Sequence, residues 1–136
     1  MTNISRTLGK HKKRDVCVMA IQLLASEMGA AATYELANLP KQSLVIASTS
    51  FIVVPFDGTL PKADFGFTGA LTELDATVAL DAAANTVVAG AGNIHKPSGG
   101  EVTVVKTVAS TVGEAWLIIE YIEYTQCTGE LTNFSG

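Results

Sequence analysis

Charge is scarce in this 136-residue sequence: Asp, Glu, Lys and Arg make up 16% of it, against about 25% in an ordinary soluble domain. With 48% hydrophobic residues, the chain can bury enough apolar surface to offset its ordering entropy, which excludes general disorder. Cysteine is limited to Cys17 and Cys127, and histidine to His11 and His95. That excludes a disulfide-dense scaffold and any zinc-finger spacing. The two cysteines could close one long loop, but no secretory signal is read at the start, so two buried free thiols are the expectation. The longest apolar run, residues 44–56, has thirteen residues, short of the ~20 that a membrane-spanning helix needs.

Catalytic patterns are missing too. There is no GxxxxGK[ST] phosphate loop, no GxGxxG after a strand and no GxSxG elbow. Gly90-Ala91-Gly92 lacks the third glycine and reads as a turn, and His95 lies in the turn-rich segment 92–100, which is expected as surface loop. Asp57 and Asp64, and the group Glu73, Asp75 and Asp81, do not follow a calcium-loop spacing. As strand residues Glu73 and Asp75 share a face, read as a solvated one, while Glu120 and Glu123 fall on opposite faces and cannot pair. No enzyme activity, cofactor or metal is expected.

What charge there is sits unevenly. Residues 1–14 carry Arg6, Lys10, Lys12, Lys13 and Arg14 and no acid. Residues 15–136 carry four lysines against thirteen acids, a balance of −9. The reading is an extended basic arm, 1–14, on a single acidic domain, 15–136. The arm could neutralise phosphates, but an acidic body without an exposed aromatic platform argues against nucleic acid as the partner. A protein surface is the expected contact for Arg6, Lys10, Lys12, Lys13 and Arg14.

Turn signals recur at Gly29, Pro40, Asp57-Gly58, Gly69, Gly90–Asn93, Pro97–Gly100 and Gly113. Between them lie stretches rich in Val, Ile, Thr and aromatics, which suit pleated surfaces. Eight strands are predicted, near 15–24, 32–37, 43–55, 63–67, 72–80, 85–89, 101–109 and 114–125. Alternation sets Leu74, Ala76, Val78 and Leu80 on one face, and Val102 and Val104 opposite Glu101 and Thr103. Residues 22–28 and 71–84 also contain good helix formers and are read as strand or loop. The fold class predicted is all-β, an antiparallel jelly roll or β-sandwich. Two stretches, 44–54 and 116–119, are apolar on both faces, so each is central or turns one face to another chain. Trp116, Ile118, Tyr121 and Tyr124 are the candidate oligomer-interface residues.

The layout resembles the small capsid decoration, or cement, proteins of tailed bacteriophages. The resemblance rests on Asn3-Ile4-Ser5-Arg6-Thr7-Leu8-Gly9-Lys10, on Asn38-Leu39-Pro40-Lys41 before a long strand, on Phe56-Asp57-Gly58-Thr59, and on the aliphatic strand 115–125. It implies a jelly-roll or sandwich subunit, dimeric or trimeric, that binds the major capsid protein on the outer virion surface after synthesis in the host cytoplasm. Head-fibre, tail and collar components share the layout. From a different class stands a glycan- or host-surface-binding module using loop residues His95, Asn93, Asp57, Tyr121 or Tyr124.

Overall fold

A computed structural model of the chain describes residues 16–124. The whole arm, Arg6, Lys10, Lys12, Lys13 and Arg14 included, and Cys127 lie outside the described residues. Nine strands follow one another: β1 Cys17–Leu24, β2 Thr33–Leu39, β3 Ser43–Val54, β4 Lys62–Phe67, β5 Ala70–Ala79, β6 Val87–Ala89, β7 Ile94–Lys96, β8 Gly100–Lys106 and β9 Glu114–Glu123. Among the described residues there is no helix. All eight predicted strands are present. The ninth, β7, falls in the segment expected as loop: its three residues pair with Ser43, Leu44 and Val45 of β3. Three residues between turn signals are too few for alternation to show, and only the long partner strand holds them extended.

The strands form two antiparallel sheets, one in the order β1-β9-β3-β6 with β7 also on β3, the other in the order β2-β8-β4-β5. Their facing sides make one core. From the first sheet come Leu23, Val45, Ile52, Ala115, Leu117 and Ile119. From the second come Val102, Val104, Ala63, Phe65, Phe67, Leu74 and Val78. Burying a side chain of the Leu, Ile or Phe class contributes roughly 1.5–3 kcal/mol, so this layer holds the sheets together. The inner side of β3 is unusual in carrying buried serines. Ser43 and Ser48 donate to the carbonyls of Pro40 and Ala91 at 2.7 Å each, while Ser50 Oγ has no partner among the described residues.

Alternation misleads at three positions. Ala76 is exposed although Leu74 and Val78 are buried. The β4–β5 register slips there, and Thr77 takes a positive φ of 53°, as a bulged strand does. Thr103 points away from Val102 as predicted, yet is 2% exposed because β8 is a central strand. Lys106 is also 2% exposed. Its Nζ donates to the Met28 carbonyl at 2.7 Å and lies 5.1 Å from the centre of the Phe56 ring. A glycine is required at one approach: Gly113 has φ +151° and packs where a Cβ would collide with the Phe56 ring.

Candidate assembly surfaces

The two outer faces differ in chemistry, and strand register shows how. Across the first sheet, Gln22, Trp116, Phe51 and Val87 form one row. The next outward row is Ala20, Ile118, Thr49 and Ala89. Val18 and Val87 are 60% and 65% exposed, and Val53 and Val54, at the end of β3, are exposed as well. This face is therefore largely apolar, with the exposed Glu120 set between Val18 and Ala47 as its charged member. Trp116 is fixed in place on it: its Nε1 donates to Glu114 Oε2 at 3.2 Å, and Gln22 Nε2 donates to the same oxygen at 3.1 Å.

The other sheet's outer face is polar and acidic. Glu35 pairs with Thr103 in register, Asp64 with Val105, and Glu101 with Asn38. Thr68 Oγ1 donates to Glu101 at 2.9 Å, and the Thr77 N–H donates to Asp64 at 2.7 Å. Apolar and acidic surface thus lie on opposite sides of one sandwich.

The four candidate interface residues on β9 and just beyond it separate. Trp116 and Ile118 share the apolar outer face. Tyr121 turns inward, level with buried Val45 and packed against the core. Burial there pushes its phenol above the ordinary value, with Cys17 and Glu123 acting the same way. Tyr124 lies beyond the strand's end, its hydroxyl 2.8 Å from His95 Nε2. Val18, Ala20, Phe51 and Val87 join Trp116 only through cross-strand register, which composition does not reveal.

Of the loop residues weighed for ligand binding, His95 and Tyr124 meet, and Asn93 and Tyr121 lie at the same end of β3, whereas Asp57 stands apart. His95 pairs with Leu44 near the start of β3, whereas Asp57 follows its far end. At ~3.3 Å per residue the stretch of β3 between these two ends, from Leu44 to Val54, spans at most about 33 Å. Asp57 is committed to its own loop: Oδ1 accepts from the Thr111 and Val112 N–H groups at 2.7 and 3.0 Å, and Oδ2 from Thr111 Oγ1 at 2.6 Å. These bonds, the hydroxyl's first, lower its pKa from 3.8 to about 2. Glu73 pairs with Lys96 at 3.3 Å. Asp75 accepts from the Ala76 N–H, and burial, opposed by that bond, raises its pKa. No group of three metal-ligating side chains occurs among the described residues.

The Asp57 clamp has a pH signature. A carboxylate whose folded pKa is depressed stabilises the fold above its unfolded value of 3.8 and stops doing so as pH falls through about 2. Thermal melts of the wild type between pH 4 and pH 2 should therefore fall more steeply than those of Asp57→Asn. Parallel curves would show that the clamp contributes nothing.

No family model and no curated protein matches the sequence. Solved structures do match in fold. A chain in the cyanophage Pam1 capsid asymmetric unit aligns with TM-score 0.65 and 14% identity, over 82% of this chain and 86% of that one. A chain in the acid-stable capsid of Helicobacter pylori bacteriophage KHP30 aligns with TM-score 0.66 and 12% identity, over 98% and 100%. One in the capsid of Ralstonia phage GP4 aligns with TM-score 0.59 and 18% identity, over 82% and 87%. The all-β sandwich is thus a fold found in phage capsids.

Proposed function

We propose that this chain is a structural subunit of a bacteriophage virion, a decoration or cement protein that binds the outer capsid surface and strengthens the shell by bridging capsomers. The carrying observation is that a match over 82–98% of the chain to chains of three phage capsids coincides with a sandwich bearing an apolar outer face. In this reading the Trp116–Ile118 face buries against another chain of the shell, as apolar patches at assembly contacts do. The basic arm of residues 1–14 docks on the major capsid protein, adding effective concentration to a compact footprint. The work is mechanical, and no step of chemistry belongs to it.

Adding purified protein to capsid shells that lack it tests the reading. Full-length chain should decorate them, and a chain without residues 2–14 should bind at least tenfold more weakly, with the gap narrowing as salt is raised. Equal affinity of the two forms would remove the arm from the mechanism. Failure of the full-length chain to bind any such shell would remove the decoration role.

A further inference from the structure

Edge strands invite other chains to pair with them, and proteins normally guard them with short length, bulges, charge or proline. Among the described residues, three of this sandwich's edges are guarded. β6 and β7 are three residues long. β2 carries Glu35 beside a register break between Glu35 and Ala37. β5 carries Glu73 and Asp75, two register breaks and the positive φ of Thr77, and its Leu74 carbonyl is already taken by the Ala91 N–H.

β1 is the exception. Its eight residues, Cys-Val-Met-Ala-Ile-Gln-Leu-Leu, include no charge, glycine or proline. Eight consecutive pairs with β9 run without a register break. It lies at the end of its sheet, with β9 on one side and, among the described residues, no strand on the other. Val18 is 60% exposed on its outer face. An edge this long, straight and apolar is a template for strand addition.

We propose that β1 pairs antiparallel with β1 of a second copy of this chain about a two-fold axis, placing Ala20 opposite the partner's Ala20. That register sets inner residues beside inner residues, Met19 next to Ile21 and Cys17 next to Leu23. It sets outer beside outer, Val18 next to Gln22. An odd shift would place apolar core positions against solvent-facing ones.

Charge selects the orientation. Lys10, Lys12, Lys13 and Arg14 stand ahead of β1 in sequence, separated from it by Asp15 and Val16, and the segment stays net positive. A parallel pair would bring both basic segments to one end, where they repel. The antiparallel pair sends each toward the far end of the partner's β1, where the exposed Glu27 and the half-buried Glu114 stand. The union also joins the two apolar outer faces side by side, and the contact is isologous, so it closes at two copies. The inference concerns the isolated chain and does not depend on capsid binding.

The test is sedimentation equilibrium of the full chain at micromolar concentration, with four variants. Wild type should sediment at twice the chain mass. Ala20→Lys, at an exposed position, should raise the dimer dissociation constant at least tenfold, since two lysines would meet at the axis. Trp116→Lys should leave it unchanged. In a Cys17→Ser, Cys127→Ser background, Ala20→Cys should give a covalent dimer on mild oxidation, and Thr49→Cys, central on the outer face, should not. A monomeric wild type overturns the proposal. So does loss of the dimer in Trp116→Lys but not in Ala20→Lys, or linkage through Thr49→Cys alone, either of which means face-to-face stacking. Slow hydrogen exchange along β1 in a monomer would mean that the chain's own ends cover the edge, and likewise overturns it.

Discussion

Lys106→Ala is expected to lower the unfolding free energy by about 3 kcal/mol, read as a drop of roughly 10 °C in thermal midpoint. The side chain is 2% exposed, and its Nζ is bound to the Met28 carbonyl at 2.7 Å. Alanine removes the packed stem, at about 0.8 kcal/mol for each buried methylene. It also leaves a buried carbonyl without its donor, which costs a further 1–3 kcal/mol, roughly. Relief of the buried charge offsets part of both terms. Lys106→Met keeps most of the stem and discards the charge, so its loss should be about 1 kcal/mol. Equal losses in the two variants would mean that stem packing contributes nothing.

The pH dependence of this site has a definite sign. Burial pushes the Lys106 ammonium below its ordinary 10.5, and the charge of Asp57 opposes that shift. The fold therefore bears a penalty while the lysine is charged. As pH rises from the folded-state value toward 10.5, that penalty is relieved. Wild type should gain on Lys106→Met between neutral pH and about pH 10. A stability difference that stays flat over that interval would contradict a desolvated ammonium.

The second large effect separates two aromatic residues by the face each occupies. Phe65 is 1% exposed, on the inner side of β4 and level with Val104. Phe65→Ala should cost about 4 kcal/mol, the transfer term plus the cavity left in a layer that cannot collapse around it. That is a large share of the roughly 5–15 kcal/mol that holds an ordinary domain folded. Trp116 is the larger side chain, but it lies on the outer face and is held by Glu114 rather than by the core. Trp116→Ala should cost the isolated chain only about 1 kcal/mol, while binding to capsid shells falls sharply. Denaturant titration measures the first quantity and shell binding the second. A reversed order in the denaturation series would show that the two faces have been exchanged.

Much of this fold can be read from local pattern. Period-2 alternation marks Phe65 and Phe67 as inner residues and Asp64 as outer, because side chains along a strand point to opposite faces whatever the strand pairs with. Turn chemistry at Asp57-Gly58, Gly69 and Gly113 marks where strands stop, because those residues tolerate backbone angles that others avoid. The same reading falters where neighbours intervene. Ala76 is displaced by a bulge opposite β4, and β7 exists only because β3 runs beside it. Lys106 sits in an alternating Val/Thr strand like any terminal polar residue. Only the approach of Met28 and Phe56 makes its position an interior one.

By itself, then, the sequence determined the class of the protein: a β-rich, charge-poor chain with its positive charge gathered ahead of the first strand. Composition and two-residue alternation are properties of the chain alone and survive in any packing. Tertiary structure decided which apolar face of β9 is core and which is surface, put Trp116 and Ile118 on one side and Tyr121 on the other, and left β1 as the unguarded edge. A strand apolar on both sides contains no information about which side its partner sheet covers. That depends on residues far away in the chain, brought alongside only when the sheets pair and pack.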